Sequence, residues 1–139
     1  MRKMSFLLVM CVLFSCTFAA AEDSEKEAAA FAVAQQWLGL VDQGKYDESW
    51  KEASTVFRNA VTAAQWEQLV ETSRKPLGKL LTRKVSSKTY TTSLPGVPDG
   101  QYVVIEFETS FENKKAAIET VTPMLDKDGT WRVSGYYIK

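Results

Sequence analysis

The spacing of apolar residues changes at Gly78, and that change limits the possible folds more than any other feature of the chain. Upstream, apolar side chains recur every three or four positions, the period of an amphipathic helix. Downstream they alternate, the period of a strand with one buried face.

Phe31, Ala34, Leu38 and Val41 form the first helical stripe, widened by Val33, Trp37 and Leu40. Ser24-x-x-Glu27 reads as a capping box in front of it. The pattern predicts a long helix over about residues 24–43, stopped by Gly44 in the left-handed region. Residues 45–60 read as short helix, with Tyr46, Trp50 and Ala53 on one face and a break at Ser54-Thr55. Thr62-x-x-Gln65 is a second capping box, opening a helix with Trp66, Leu69, Val70 and Ser73 on one side. Pro76 disfavours helical geometry at Lys75, so this helix should end near Arg74.

Four strands are predicted after Gly78. Residues 80–92, rich in Thr, Ser and Val, read as a strand with a possible bend. The second covers 102–111, with Val103, Ile105, Phe107, Thr109 and Phe111 on one face and Glu106, Glu108 and Ser110 on the other. The third covers 115–124. The last covers 131–138, with Trp131, Val133 and Tyr137 assigned to one face. Turn residues separate them: the loop at 94–100, the tight turn at 112–114 and Asp126-Lys127-Asp128-Gly129. Helices first and an antiparallel meander second make an α+β domain, with the N-terminal helices packed on one face of a four-stranded sheet.

The first 21 residues read as a targeting segment. Arg2-Lys3 is a basic start, residues 5–18 are almost wholly apolar, and Ala19-Ala20-Ala21 precedes the acidic Glu22-Asp23. These are the three parts of a secretory signal peptide. Cleavage after Ala21 would leave a single soluble domain over 22–139 in the periplasm or outside the cell. Ser15-Cys16 offers an alternative, a lipoprotein held at the membrane through Cys16. An uncleaved anchor is a third, although the run is shorter than the roughly 20 residues a membrane helix needs.

Charge and composition narrow the chemistry. Lys plus Arg equals Asp plus Glu at 17 each, so no excess of positive charge drives phosphate binding, and nucleic acid is not an expected partner. Removing residues 1–21 takes away Arg2, Lys3 and both cysteines, Cys11 and Cys16. The mature domain then has no thiol for a disulfide and must be held by its core. With no His anywhere and no mature Cys, there is no Ser-His-Asp triad, no thiol nucleophile and no imidazole or thiolate zinc site. No phosphate-binding or dinucleotide glycine motif occurs either. No metal or cofactor is expected, and acid–base work would fall to carboxylates, Tyr or Lys.

Several motifs resemble those of a bacterial secreted family of unknown function, number 4019. They are Trp37-Leu38-x-Leu40-Val41-Asp42-x-Gly44-x-Tyr46 with Ser49-Trp50, then Arg74-x-Pro76-Leu77-Gly78. Leu94-Pro95-Gly96-x-Pro98-Asp99-Gly100-x-Tyr102 and Asp128-Gly129-x-Trp131-Arg132-Val133-Ser134-Gly135-Tyr136 complete the set. The resemblance spans nearly all of residues 30–138 and implies no activity. Its order of helices and sheet is similar to the nuclear transport factor 2-like (cystatin-like) cone, a fold that hosts isomerases, dehydratases and plain binding modules.

The candidate residues follow. Trp37, Tyr46, Trp50, Trp131 and Tyr136 could line an aromatic ligand pocket between sheet and helices, with Asp42 at its mouth. They could equally form an aromatic core, with Asp42 a solvated helix-end residue. Pro95, Gly96, Pro98 and Asp99 shape a rigid loop suited to a partner-binding edge, or only to a tight corner. Arg74, Lys75, Lys79, Arg83 and Lys84 form a basic cluster that could meet anionic lipid or an acidic partner, or belong to an ordinary helix end. Glu106 and Glu108 could pair as catalytic carboxylates, but alternation puts them on the solvated face. Asp126 and Asp128 fit a hairpin turn better than a calcium loop. The expectation is a non-enzymatic exported domain binding a partner protein or a small apolar ligand. The rival is a small acid–base isomerase or hydratase using Asp42 and a Tyr.

Overall fold

The computed structural model describes residues 15–139. Four helices come first: α1 (Ser15–Asp42), α2 (Tyr46–Glu52), α3 (Thr55–Ala60) and α4 (Ala63–Ser73). A 3-10 turn over Lys75–Leu77 leads into β1 (Leu80–Thr91), β2 (Tyr102–Phe111), β3 (Lys114–Leu125) and β4 (Trp131–Ile138). The strands pair in chain order as an antiparallel meander, and the helices lie against the sheet. This is the α+β architecture expected. Among the described residues, no helix is long and apolar enough to cross a membrane.

The helix boundaries follow local chemistry. Gly44 ends α1 at φ 75°. Ser54 caps α3, its Oγ accepting from Phe57 N–H at 3.1 Å. The Thr62 box is complete: Thr62 Oγ1 accepts from Gln65 N–H, and Gln65 Oε1 accepts from Thr62 N–H. Gly78 has φ 77°, and a Cβ there would come within 3.0 Å of Glu112 Cβ. Only glycine fits where the helical half turns into the sheet.

Two expectations are corrected. Ser24 does not start a helix, because α1 runs unbroken from Ser15 through it. Among the described residues of α1 the first buried one is Ala30, downstream of that Ser. The second correction is in β4. Val133 faces the core as expected and Trp131 packs partly buried against it, but Tyr136 points inward and Tyr137 is 51 % exposed. Thr122 pairs with Gly135 while the next residue, Pro123, pairs with Val133, leaving Ser134 as an extra residue. Pro123 cannot donate to a ladder, and strands accommodate proline at such bulges. One extra residue reverses the side-chain alternation beyond it.

The core lies between α1 and the concave sheet face. Trp37, Leu38 and Val41 of α1 meet Val103, Ile105 and Phe107 of β2, Val121 of β3 and Val133 of β4. The same alternation leaves Glu106 and Glu108 exposed. Strand β1 carries two register shifts, at Leu80/Thr82 and Val85/Ser87.

Candidate functional site

The concave face of the sheet holds a charged side chain where the pattern calls for an apolar one. Glu119 on β3 sits between Ala117 and Val121 in the two-residue period, and it is 0 % exposed. A buried carboxylate is costly unless charge and hydrogen bonds compensate it. Three side chains are in place to do so. Arg83 of β1 donates from Nε to Glu119 Oε1 at 2.7 Å and from Nη2 to Oε2 at 3.2 Å. Thr109 of β2 donates to Oε1 at 2.7 Å. The Tyr136 hydroxyl of β4 donates to Oε2. All four strands therefore converge on one group.

Arg83 also reaches the helices. Its Nη1 donates to Asp42 Oδ2 at 2.7 Å and its Nη2 to Asp42 Oδ1 at 3.0 Å. Asp42 ends α1 and its side chain is 17 % exposed. Arg74, the C-cap of α4, adds an Nη2 contact to Asp42 Oδ1 at 3.2 Å and donates from Nη1 to Gly78 O at 2.6 Å. Its guanidinium lies 4.3 Å above the Phe111 ring. Two carboxylates and two guanidiniums thus close a formally neutral network linking α1, α4 and the sheet.

Burial opposes the charge on Arg83, but hydrogen bonds to Asp42 and Glu119 outweigh it and hold the guanidinium protonated. Burial, and then the Glu119 carboxylate, push the Tyr136 phenol far above its usual range. Tyr136 therefore acts here as a fixed hydrogen-bond donor.

Beside this network the expected aromatic set fills space. Trp37 and Tyr136 meet edge to face at 5.3 Å, and Trp37 lies 5.6 Å from Trp66. The indole N–H of Trp37 donates to Ser49 O at 2.8 Å, and that of Trp66 to Ser49 Oγ at 2.9 Å. Trp50 donates to Val61 O at 2.8 Å. Trp37 thus lies in the aromatic core, and Tyr46, Trp50, Trp131 and Tyr136 pack partly buried against it. Asp42 meets Tyr136 only through Arg83 and Glu119.

Asp42 is not the solvated helix-end residue expected, because two arginines claim it. For the same reason Arg74 and Arg83 leave the surface basic cluster, and Lys75, Lys79 and Lys84 stay exposed. Sequence reasoning missed Glu119 and Thr109. Their signal was a Glu and a Thr in phase with buried apolar residues.

An open cleft remains at the edge of the core, between α1 and the β1–β2 side. It measures about 430 Å³ and is lined by Phe31, Gln35, Leu38, Arg83, Val85 and Phe107. The 94–100 loop is exposed at Pro95, Gly96, Pro98 and Asp99. Gly96 has φ 79°, as a type II corner after Pro95 requires. Pro98 O accepts from the Tyr102 hydroxyl at 2.5 Å, and Gly100 N–H donates to Thr92 O at 3.0 Å. Asp126 and Asp128 make a turn braced by Arg132, and among the described residues no cluster of three metal-ligating side chains forms.

A model of one protein family matches residues 33–136, a span that includes Asp42, Arg74, Arg83, Glu119 and Tyr136. The chain belongs to that family, described as protein of unknown function (DUF4019). No curated protein and no solved structure matches it. The DUF4019 match takes in the helices from Val33 of α1 onward and nearly the whole sheet, so the network lies entirely within the family's domain.

Proposed function

We propose that this DUF4019 protein is an exported, non-enzymatic interaction domain that captures a partner protein on its surface. The observation that carries the reading is the closed network. Asp42 and Glu119 are the carboxylates best placed for acid–base work, and both are spent on arginines. Tyr136 spends its proton on Glu119. An isomerase or hydratase needs a free base beside a substrate-sized space, whereas the cleft next to the network presents the Arg83 guanidinium, and Tyr136 packs against Trp37 and Trp66. Export is supported by the basic start, the apolar run and the Ala triplet, and, among the described residues, by a buried face of α1 that begins at Ala30. The loop at Pro95, Gly96, Pro98 and Asp99 is the proposed partner edge, since it is exposed while its backbone is tied at both ends.

A second reading has its own observation. The cleft at Phe31, Leu38, Val85 and Phe107 could take a small apolar ligand, with Gln35 and Arg83 as polar handles. Photo-crosslinking residues placed in cells at Asp99 and, separately, at Gln35 separate the two. A protein adduct at Asp99 supports partner capture. A low-mass adduct confined to Gln35 replaces it with ligand binding, and silence at Asp99 overturns the loop assignment.

A further inference from the structure

Lysines gather at one end of the molecule. In the meander, the start of β1, the end of β2 and the start of β3 lie together, since Leu80 pairs with Phe111 and Phe111 with Lys114, and β4 ends alongside the middle of β3, where Lys139 N–H donates to Ile118 O at 2.9 Å. The 3-10 turn joins them through Asn113 N–H to Leu77 O at 2.8 Å. This end carries Lys75, Lys79, Lys84, Lys114, Lys115 and Lys139. Among the described residues none of the six makes an ion pair. The nearby acids are fewer: Glu71, Glu108 and Glu112, and Glu112 turns a carboxylate oxygen to the Lys79 N–H at 3.2 Å.

Exposed apolar side chains share this end. Ile118 lines a groove with Lys84, Lys115 and Lys139. Leu69 and Tyr137, with the half-buried Leu77, line a second with Lys114 and Lys139. Leu81, two residues after Lys79, is 51 % exposed. The arginines of the same region are turned inward onto Asp42 and Glu119. The outward cations are therefore all lysines, point charges on flexible stems without the fixed fork that matches one partner's carboxylates. Mobile cations interleaved with apolar side chains suit a fluid anionic layer better than a shaped polypeptide surface.

We propose that this end of the domain docks on an anionic lipid bilayer, with the lysines at the head groups and Leu77, Leu81 and Ile118 at the acyl boundary. The inference goes beyond partner capture and uses neither the 94–100 loop nor the cleft.

The test is co-sedimentation of the full chain with phosphatidylcholine vesicles, with and without phosphatidylglycerol, beside a variant carrying Lys79→Gln, Lys84→Gln, Lys115→Gln and Lys139→Gln. Both proteins keep the same N-terminus, so the difference between them reports this surface alone. The expected result is roughly tenfold or greater loss of binding to the anionic vesicles in the variant. Salt should remove the wild-type preference for phosphatidylglycerol. Lys115→Glu alone should weaken binding in the same direction, and unchanged melting shows that either variant is folded. Equal sedimentation of wild type and variants overturns the proposal. So does capture by soluble polyglutamate with no preference for phosphatidylglycerol, which assigns the surface to an acidic polypeptide instead.

Discussion

Arg83 on β1 reaches across β2 to Glu119 on β3, with Nε 2.7 Å from Oε1, while its other edge holds Asp42 at the end of α1. One guanidinium thereby pins three elements that are distant in sequence. A buried charge left without its partner is the costly state, whereas a pair replaced as a unit by apolar groups can be nearly neutral.

Glu119→Ala should therefore destabilise the domain by about 3–5 kcal/mol, because Arg83 and Tyr136 lose their acceptor. Asp42→Ala should cost less, about 1.5–3 kcal/mol, since that carboxylate is partly exposed and water can replace it. The double variant Arg83→Met, Glu119→Leu should recover most of the single-mutant loss. Urea melts of the three proteins provide the check, and a double variant no better than Glu119→Ala contradicts the pairing argument.

Phe107 is 2 % exposed at mid-strand in β2 and its ring lies 6.0 Å from that of Phe31. Phe107→Ala should cost about 3–5 kcal/mol. Its neighbour Glu106 faces solvent, and Glu106→Ala should change stability by about 0.5 kcal/mol or less. The two midpoints in urea, measured side by side, must differ in that order.

Asp126 ties the β3–β4 turn to the start of α3. Burial raises its pKa, but hydrogen bonds from Thr55 N–H, Lys127 N–H and Thr55 Oγ1, with Arg132 nearby, outweigh that and hold it below 3.8. A carboxylate depressed in the folded state stabilises fully above its unfolded pKa, and the benefit is lost as pH falls through the folded value. Stability should thus drop on acidification below about pH 3.8. Asp126→Asn should flatten that drop while lowering stability at neutral pH. Melting temperatures across this range decide the point.

Replacing residues 95–99 with a Gly/Ser segment should leave the melt close to wild type and abolish the Asp99-region adduct, read from a crosslinker moved to Gly100. Lower thermal stability with an unchanged adduct would make the loop architectural.

The intact mass of protein recovered from the export compartment should correspond to a chain starting at Glu22. A diacylglycerol-modified Cys16 at the N-terminus would instead place the domain on a membrane by a covalent anchor.

The helices and strands were legible because they rest on local information. Period, capping residues and turn residues located α2 through α4 and all four strands to within a residue or two. Where α1 begins was not legible from its capping signal, since Ser24 and Glu27 lie within a helix that simply continues. The β4 face was misjudged from Tyr137, because one proline in the neighbouring strand sets a bulge that no periodicity within β4 reveals.

The sequence by itself determined the α+β order, the covered sheet face and the exclusion of imidazole chemistry, because each depends on residue type and near-neighbour spacing. Only the tertiary structure decided what Asp42, Arg74, Arg83 and Glu119 do. They are separated by tens of residues, and a charge looks the same in sequence whether it meets water or a buried partner. Folding brings β1, β3 and the ends of α1 and α4 within hydrogen-bond distance, which turns a predicted surface cluster and a solvated Asp into an internal network. That same rearrangement leaves Lys75, Lys79 and Lys84 as the outward members of the basic cluster.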